Sequence, residues 1–311
     1  MSRGADAVKA TLDNVEKVII GKRSQIEQVA IAFLCGGHVL IDDVPGTGKT
    51  MLARSFATSL GLEFRRLQCT PDLLPSDITG VRVFDARVAE FRFEPGPIFT
   101  NVLLADEINR ATPRSQAALL EAMAERQVTV DGDTRRLPRP FLVLATQNPV
   151  EFEGTFPLPE AQLDRFFLSV TLGYPSPDEE KSLIGRIGPI HPIETLTAVD
   201  GAADWAPIFE AVATIHVDST VEDYIVALVT ETRRHPAVEL GASPRATLAL
   251  AAAARAHASL RGRDYVLPDD VKDMCAPVLA HRLVLSPEAR LRGVKPPGLI
   301  DELLGRVEVG P

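Results

Sequence analysis

The apolar positions of this chain follow two patterns, which divide it into a first part where strands and helices alternate and a second part that is helical. Apolar residues spaced three and four apart predict a helix over residues 24–36. Short apolar-rich runs predict buried strands at HVLID (38–42), FRRLQ (64–68), VLLAD (102–106), FLVLA (141–145) and FFLSV (166–170). Strands that alternate with helices indicate a mainly parallel α/β sheet.

Two stretches of the first part depart from this alternation. VRVFDARVAEFRF (81–93) alternates apolar and polar residues around a short break, and RQVTVDGDTRRL (126–137) contains the turn signal Asp131-Gly132. We predict that both are β-hairpins inserted into the α/β core. The alternative is that they only decorate its edges.

A change of composition at GYPSPDEE (173–180) marks a predicted domain boundary. Ser176 and Pro177 suit the N-cap and first position of a helix. We therefore predict one domain over residues 1–173 and a second over 174–311.

The second part is predicted to be helical. Helices are expected over residues 243–260 and 268–281, and Ser219 with Glu222 matches a capping box at the start of another helix.

Composition and charge restrict the class of protein. The chain has 311 residues, 45% of them hydrophobic and 24% charged, which is typical of a globular protein with about two domains. A net charge of −9 argues against a general nucleic-acid binder or a polybasic membrane surface. The chain contains three cysteines and no N-terminal apolar signal, and no run of about 18 apolar residues predicts an integral membrane segment. We therefore expect a cytoplasmic protein.

The stretch DDVPGTGKT (42–50) resembles a phosphate-binding loop. The usual pattern is G-x-x-x-x-G-K-S/T, and Asp43 occupies its first glycine position, which is tolerable if the carboxylate points away from the phosphates. Lys49 can reach the β- and γ-phosphates, and the Thr50 hydroxyl can bind Mg²⁺. An ordinary Pro-Gly turn before a helix is the alternative. The predicted nucleotide-binding residues here are Pro45, Gly46, Thr47, Gly48, Lys49, Thr50 and Met51.

Two acidic residues follow a predicted buried strand in NVLLADEINR. The strand delivers both carboxylates to its C-terminal tip, beside the loop. Asp106 is the candidate partner of Mg²⁺ and of the nucleotide, and Glu107 is the candidate base for an attacking water. The alternative is an acidic helix N-terminus, which the helix dipole favours.

Three further polar residues are candidates for the same chemistry. In ATQNP (145–149), Asn148 can hold the attacking water or the γ-phosphate, although Asn before proline is also common in turns. Arg165 of PLPEAQLDRFF is either a phosphate ligand or a surface arginine. Arg245 lies in the first turn of a helix that begins at Pro244, where a cation opposes the helix dipole by about 0.3 to 1 kcal/mol, so we favour a nearby anion.

In order, VPGTGKT, LLADEINRA, ATQNP, PLPEAQLDRF and GASPRA resemble the Walker A, Walker B, sensor 1, arginine-finger and sensor 2 motifs of AAA+ ATPases. DEINRATPRSQAALLEAMAERQVT and PLPEAQLDRFF are most similar to the MoxR family, over about residues 5–285. The resemblance implies a parallel-sheet nucleotide-binding domain with inserted hairpins and an all-α lid domain. It also implies catalytic roles for Glu107, Asn148, Arg165 and Arg245 in hydrolysis of ATP to ADP.

The resemblance further implies partners. MoxR-type ATPases form rings, usually hexamers, with ATP at subunit interfaces, so Arg165 is expected to contact the neighbouring subunit's nucleotide, while Arg245 can serve either site. Family members act as chaperone-like remodellers of protein clients or metalloenzyme complexes, often with a partner that has a von Willebrand factor A (VWA) domain. The two hairpins correspond to inserts that face the ring pore or a client.

Two other functions remain open at this point. A nucleic-acid motor or loader has support from the hairpin arginines Arg82, Arg87, Arg92, Arg135 and Arg136, although the acidic total makes nucleic acid an unexpected partner. A nucleotide-gated scaffold needs no turnover, and Glu107 argues against it because a pure switch needs no base.

Overall fold

Helices and strands alternate up to residue 170, and helices dominate afterwards. The computed structural model describes residues 2–148, 154–186, 191–199 and 205–310. Its strands are β1 (Val39–Asp42), β2 (Phe64–Gln68), β3 (Gly80–Asp85), β4 (Glu90–Pro95), β5 (Val102–Asp106), β6 (Gln127–Val130), β7 (Asp133–Arg136), β8 (Leu142–Gln147), β9 (Leu168–Val170), β10 (Val238–Leu240) and β11 (Val284–Leu285). Its helices are α1 (Ser2–Glu16), α2 (Arg23–Leu34), α3 (Lys49–Ser59), α4 (Pro75–Thr79), α5 (Pro113–Glu125), α6 (Glu160–Leu163), α7 (Pro177–Gly185), α8 (Ala206–Ala213), α9 (Ser219–Arg234), α10 (Pro244–Leu260), α11 (Pro268–Leu279), α12 (Pro287–Leu291) and α13 (Pro296–Arg306).

The central sheet has five strands in the order β2-β5-β8-β1-β9, and every pair in it is parallel. The predicted parallel α/β sheet is therefore confirmed. Val39 and Ile41 of β1 pack into one hydrophobic core and Leu40 into the other, as expected for a strand covered on both faces. All five strands end at the same edge, so the residues after β1, β5 and β8 meet there.

Both predicted hairpins are present as separate two-stranded antiparallel sheets, β3-β4 and β6-β7. Asp131 (φ 51°) and Gly132 (φ 86°) form the tip of the second hairpin, and both have the positive φ that a tight two-residue turn of this type requires. The first hairpin exposes apolar side chains. Phe84 and Phe91 are 53% and 61% exposed, and their ring centroids are 5.3 Å apart.

The C-terminal region is helical and packs directly on the sheet layer. The Phe33 ring of α2 meets Trp205 edge-on, with centroids 5.2 Å apart. The helical region also contains the short antiparallel pair β10-β11, which the sequence pattern did not predict. No helix in the described ranges has the length and apolar character needed to cross a membrane.

The predicted starts of α7 and α10 are correct, and that of α9 is wrong. Ser243 is the N-cap of α10, which begins at Pro244 as predicted. Ser176 caps α7 in a capping box with Glu179, as predicted at the composition change. The predicted capping box of Ser219 and Glu222 is wrong, because Asp218 is the N-cap of α9 and its Oδ1 accepts the Thr220 N–H at 2.9 Å.

Candidate functional site

The loop between β1 and α3 has the backbone that an anion-binding loop needs. Gly46 (φ 83°) and Gly48 (φ 88°) both lie in the left-handed region, and Gly48 is the N-cap of α3, which begins at Lys49. A Cβ on Gly46 would meet nothing within 4 Å, so the backbone conformation rather than space requires glycine there. The N–H groups of the first turn of α3 are consequently directed at the loop, where they can bind phosphate.

Lys49 is bound to its own loop. Its Nζ donates to the carbonyl oxygens of Asp43 at 2.7 Å and Val44 at 2.9 Å. Burial lowers the pKa of Lys49, and the nearby carboxylates, chiefly Asp43 and Asp106, act in the opposite direction. The ammonium thus lies in an acidic, partly buried place.

The Asp43 carboxylate points away from the cleft, as its place in the motif required. Oδ1 accepts the N–H of Val44 at 2.8 Å, and Oδ2 accepts the N–H groups of Leu172 at 3.0 Å and Gly173 at 2.9 Å. The side chain therefore leaves the loop free for an anion.

The predicted pair of acids lies at the end of β5, and Thr146 of β8 holds both. The Thr146 hydroxyl donates to Asp106 Oδ1 at 2.7 Å and accepts the Glu107 N–H at 2.8 Å. Glu107 has a left-handed backbone (φ 57°) and is followed by a 3-10 turn over Ile108–Arg110. The acids thus end a strand and are not the start of an α-helix.

Three side chains that the sequence did not single out also bind these acids. Arg66 donates to Asp106 Oδ2 through Nη2 at 2.7 Å and Nε at 3.1 Å. Gln68 Nε2 and Arg110 Nη1 each donate to Glu107 Oε2 at 2.9 Å. Arg66 and Gln68 are alternate residues of β2, and only the pairing of β2 with β5 brings them to the acids. That pairing leaves no signal in the spacing of the sequence.

The loop, the acids and the end of β8 enclose one cleft of about 360 Å³. Asn148, which follows β8, lies on its wall as predicted, while Pro149 of the same motif is outside the described residues. Thr47 is not among the lining residues, and its hydroxyl donates to the Val44 carbonyl at 3.3 Å. The predicted residues that line the cleft are Pro45, Gly46, Gly48, Lys49, Thr50, Met51, Asp106, Glu107 and Asn148.

The two predicted arginines lie elsewhere. Arg165 is exposed, its Nη1 donates to the Leu120 carbonyl at 2.9 Å, and it lines a different cavity with Glu121 and Glu125. Arg245 is exposed in the first turn of α10. Neither is among the described residues that line the cleft of this single chain.

Two side chains in the cleft could bind Mg²⁺. Thr50 and Asp106 both line it, and a hydroxyl and a carboxylate are hard oxygen ligands of the kind that Mg²⁺ takes. Nowhere in the described ranges do three or more His, Cys, Asp or Glu side chains form a metal-binding group. A Mg²⁺ ion here would therefore rely on few protein ligands, as is usual beside nucleotide phosphates.

Comparison with known proteins agrees with this arrangement. Residues 38–168 match the family model described as "ATPase family associated with various cellular activities (AAA)", and residues 230–303 match an AAA lid domain. The uncharacterised protein YeaC of Bacillus subtilis is 49% identical over 96% of this chain and 93% of its own length. Chaperone MoxR1 of Mycobacterium tuberculosis is 44% identical over 94% of this chain and 80% of its own. A crystal structure of a Cytophaga hutchinsonii protein assigned as an ATPase has a TM-score of 0.93 and 37% identity, and the match covers 99% of this chain and 96% of that one.

Proposed function

The chain belongs to the MoxR family of AAA+ ATPases, and we propose that it hydrolyses ATP to ADP and phosphate in the cleft described above and uses the energy to remodel other proteins. One observation carries the proposal. Lys49, the acids Asp106 and Glu107, and Asn148 come from three separate stretches of sequence and line the same cleft.

The phosphates would bind to the loop and to the N-terminus of α3. The N–H groups after Gly46 and Gly48 supply donors, and Lys49 exchanges the Asp43 and Val44 carbonyls for β- and γ-phosphate oxygens. Mg²⁺ bound by Thr50 and Asp106 would neutralise charge on those oxygens.

Glu107 and Asn148 would act on the attacking water. Glu107 accepts its proton, and Asn148 orients it toward the γ-phosphorus. Glu107 is held for this role on its backbone side by Thr146, while Gln68 and Arg110 bind its carboxylate. Both of those contacts are made to Oε2, so Oε1 can accept the proton while they remain.

Arg165 and Arg245 would complete the site in an assembled ring, which in this family is usually a hexamer. An exposed Arg165 outside its own cleft is available to a neighbouring subunit's nucleotide. We assign Arg245 to phosphate contact without choosing between its own and a neighbouring site.

The work done on other proteins is proposed from the family and from the surface of the chain. A relative that is named a chaperone supports remodelling of protein clients. The apolar residues of the β3-β4 hairpin are exposed, as a client-binding insert requires. A VWA-domain partner and maturation of metalloenzyme complexes are parts of the same proposal.

The hairpins do not favour the nucleic-acid alternative. Arg92 and Arg87 lie 3.3 and 4.0 Å from Asp85, and Arg135 lies 3.7 Å from Asp133. Carboxylates thus lie beside three of the five hairpin arginines and weaken the attraction that phosphate-backbone binding needs.

The decisive experiment separates binding from hydrolysis. We expect Glu107→Gln to bind ATP within about threefold of wild type and to lose about 100-fold or more in turnover, because the amide keeps the shape but cannot accept the proton. Lys49→Ala should lose ATP binding itself. Calorimetry measures the first property and phosphate release the second.

Glu222→Gln, an exposed change on α9, serves as the matched control and should leave both properties unchanged. Equal turnover in Glu107→Gln and wild type would remove the assignment of the base. A wild-type protein that binds ATP and never turns it over would instead favour the scaffold.

A further inference from the structure

Asp43 connects the phosphate loop to the point where the chain leaves the sheet. The residue is 4% exposed, and its carboxylate accepts three backbone N–H groups. Only the Val44 bond is local, whereas Leu172 and Gly173 are 129 and 130 residues away in sequence. The loop conformation itself requires neither of these distant bonds, so they point to a second role for Asp43.

The distant bonds fall on the linker between β9 and α7. Gly173 has a φ of 65°, and a Cβ built on it meets nothing within 4 Å, so its backbone conformation requires glycine. Leu172 beside it is buried. The Asp43 carboxylate thus holds a left-handed turn at the place where we put the boundary between domains 1–173 and 174–311.

The backbone of Asp43 is hydrogen-bonded to two residues that line the nucleotide cleft, Lys49 and Gln147. Its carbonyl accepts the Lys49 ammonium at 2.7 Å, and its N–H donates to the Gln147 carbonyl at 3.2 Å, one residue before Asn148. A Lys49 side chain that turns to a phosphate gives up the Asp43 carbonyl. Nucleotide binding to the loop therefore changes the hydrogen bonds of Asp43, the residue whose carboxylate also binds the linker.

We propose that Asp43 is a positioning residue that couples nucleotide occupancy of the phosphate loop to the linker at Leu172 and Gly173, and through the linker to the helical region. The inference rests on the proposed function in assuming that nucleotide binds this cleft. Glycine at the same position, as in the usual loop pattern, would bind phosphate but could not make the two linker bonds. Aspartate therefore adds a connection that the ordinary loop lacks.

Hydrogen–deuterium exchange of the full chain, with and without an ATP analogue that resists hydrolysis, tests the coupling. In wild type we expect nucleotide to slow exchange by about threefold or more both in the loop (44–50) and in the linker and α7 (171–185), because ordering the loop orders Asp43. In Asp43→Ala we expect slowing in the loop and none in the linker. The loop signal reports binding within the same sample.

Ser243→Ala is the matched control. It removes a different contact between the helical region and the sheet domain, the hydrogen bond from Ser243 to Asp164, and should keep the linker response. If Asp43→Ala does not fold, Asp43→Gly carries the comparison and should lose the linker response, since the usual loop pattern has glycine at this position and glycine has no side-chain acceptor for the two linker N–H groups.

The outcomes are separable. A loop that shows no protection in wild type would overturn the proposed nucleotide binding together with the coupling. A full linker response in the Asp43 variants, with the loop protected, would overturn the coupling alone. Loss of the linker response in Ser243→Ala as well would also overturn it, because any loosening of the helical region would then have the same effect.

Discussion

At the scale of single residues, the Thr146 hydroxyl positions both acids of the candidate site. It donates to Asp106 and accepts from the Glu107 backbone. Glu107 has a positive φ, which costs a non-glycine residue about 1 to 3 kcal/mol, and the bond from its N–H to Thr146 helps to hold that conformation. The position of the candidate base is therefore fixed by a residue on another strand.

His38 is a buried histidine whose hydrogen bonds define a neutral ring. It is 5% exposed, its Nδ1 accepts the Val143 N–H at 3.0 Å, and its Nε2 donates to the Met123 carbonyl at 3.1 Å. Burial lowers the pKa of His38 from 6.5 to about 4. Below about pH 6.5 the unfolded chain takes up a proton that the folded chain refuses, so stability is complete above that pH and falls as the pH drops toward 4.

We expect this residue alone to change the free energy of unfolding by up to about 1.4 kcal/mol per pH unit in that window. Urea unfolding midpoints between about pH 7 and pH 5 should fall less steeply in His38→Gln than in wild type, although the variant starts less stable. His216→Gln, at an exposed position, is the control and should keep the wild-type slope. If the urea midpoint falls equally steeply with pH in wild type and in both variants, His38 is not the source of this pH dependence.

At the scale of elements, one buried ion pair fastens the helical region to the sheet domain. Arg282, in the 3-10 turn after α11, is 7% exposed and donates to Asp164 Oδ1 at 2.9 Å and to the Phe166 carbonyl at 2.6 Å. Ser243, the N-cap of α10, donates to the same carboxylate at 3.0 Å. The Asp164 carboxylate therefore binds side chains from two elements of the helical region, and Asp164 is the residue before Arg165.

Asp164→Ala should destabilise the protein by about 3 kcal/mol, because it leaves the Arg282 guanidinium buried without its counter-charge. Denaturant unfolding measures this change. The control is Glu239→Ala, which breaks the exposed pair of Glu239 and Arg290, whose charged atoms are 3.9 Å apart, and should cost about 0.5 kcal/mol or less. Similar losses in the two variants would show that burial of the Asp164 pair has no special effect.

Elements of this fold were predictable where a local pattern determines them. All five predicted sheet strands match to within two residues at each end, mainly because a strand buried on both faces must be apolar along its length. The predicted N-cap of α9 was wrong because Asp218 and Ser219 are adjacent and either residue type can cap a helix. Only the structure shows that Asp218 does so. The two strands β10 and β11 are too short to leave a recognisable alternation.

The motifs predicted which residues meet at the cleft, but not the individual hydrogen bonds between distant residues. Nothing in the spacing of one sequence pairs Asp43 with Gly173, Arg66 with Asp106 or Arg282 with Asp164, since each pair is joined by the topology of the sheet and the packing of the helices. The motifs therefore located the cleft, while the residues that hold its acids and connect it to the helical region required the structure.

At the scale of the whole molecule, the proposed function implies that one chain holds an incomplete site. The cleft contains the loop, the acids and Asn148, whereas Arg165 lies at another surface. A trans-acting arginine is worth about 10³ to 10⁵ in rate in related phosphoryl transfer, so an isolated subunit should be a slow ATPase. If a neighbouring subunit supplies Arg165, the residues of one active site are divided between two chains.

That division predicts which inactive variants can rescue each other. Arg165→Ala and Lys49→Ala are each expected to be inactive, but in rings assembled from equal amounts about one quarter of the interfaces would combine an intact cleft with an intact Arg165. ATP turnover should therefore reappear on mixing. Lys49→Ala mixed with Glu107→Gln is the matched control, because both residues belong to the same cleft and no mixed interface is complete. Assembled mixed rings of the first pair that stay as inactive as the control would show that Arg165 does not act across an interface.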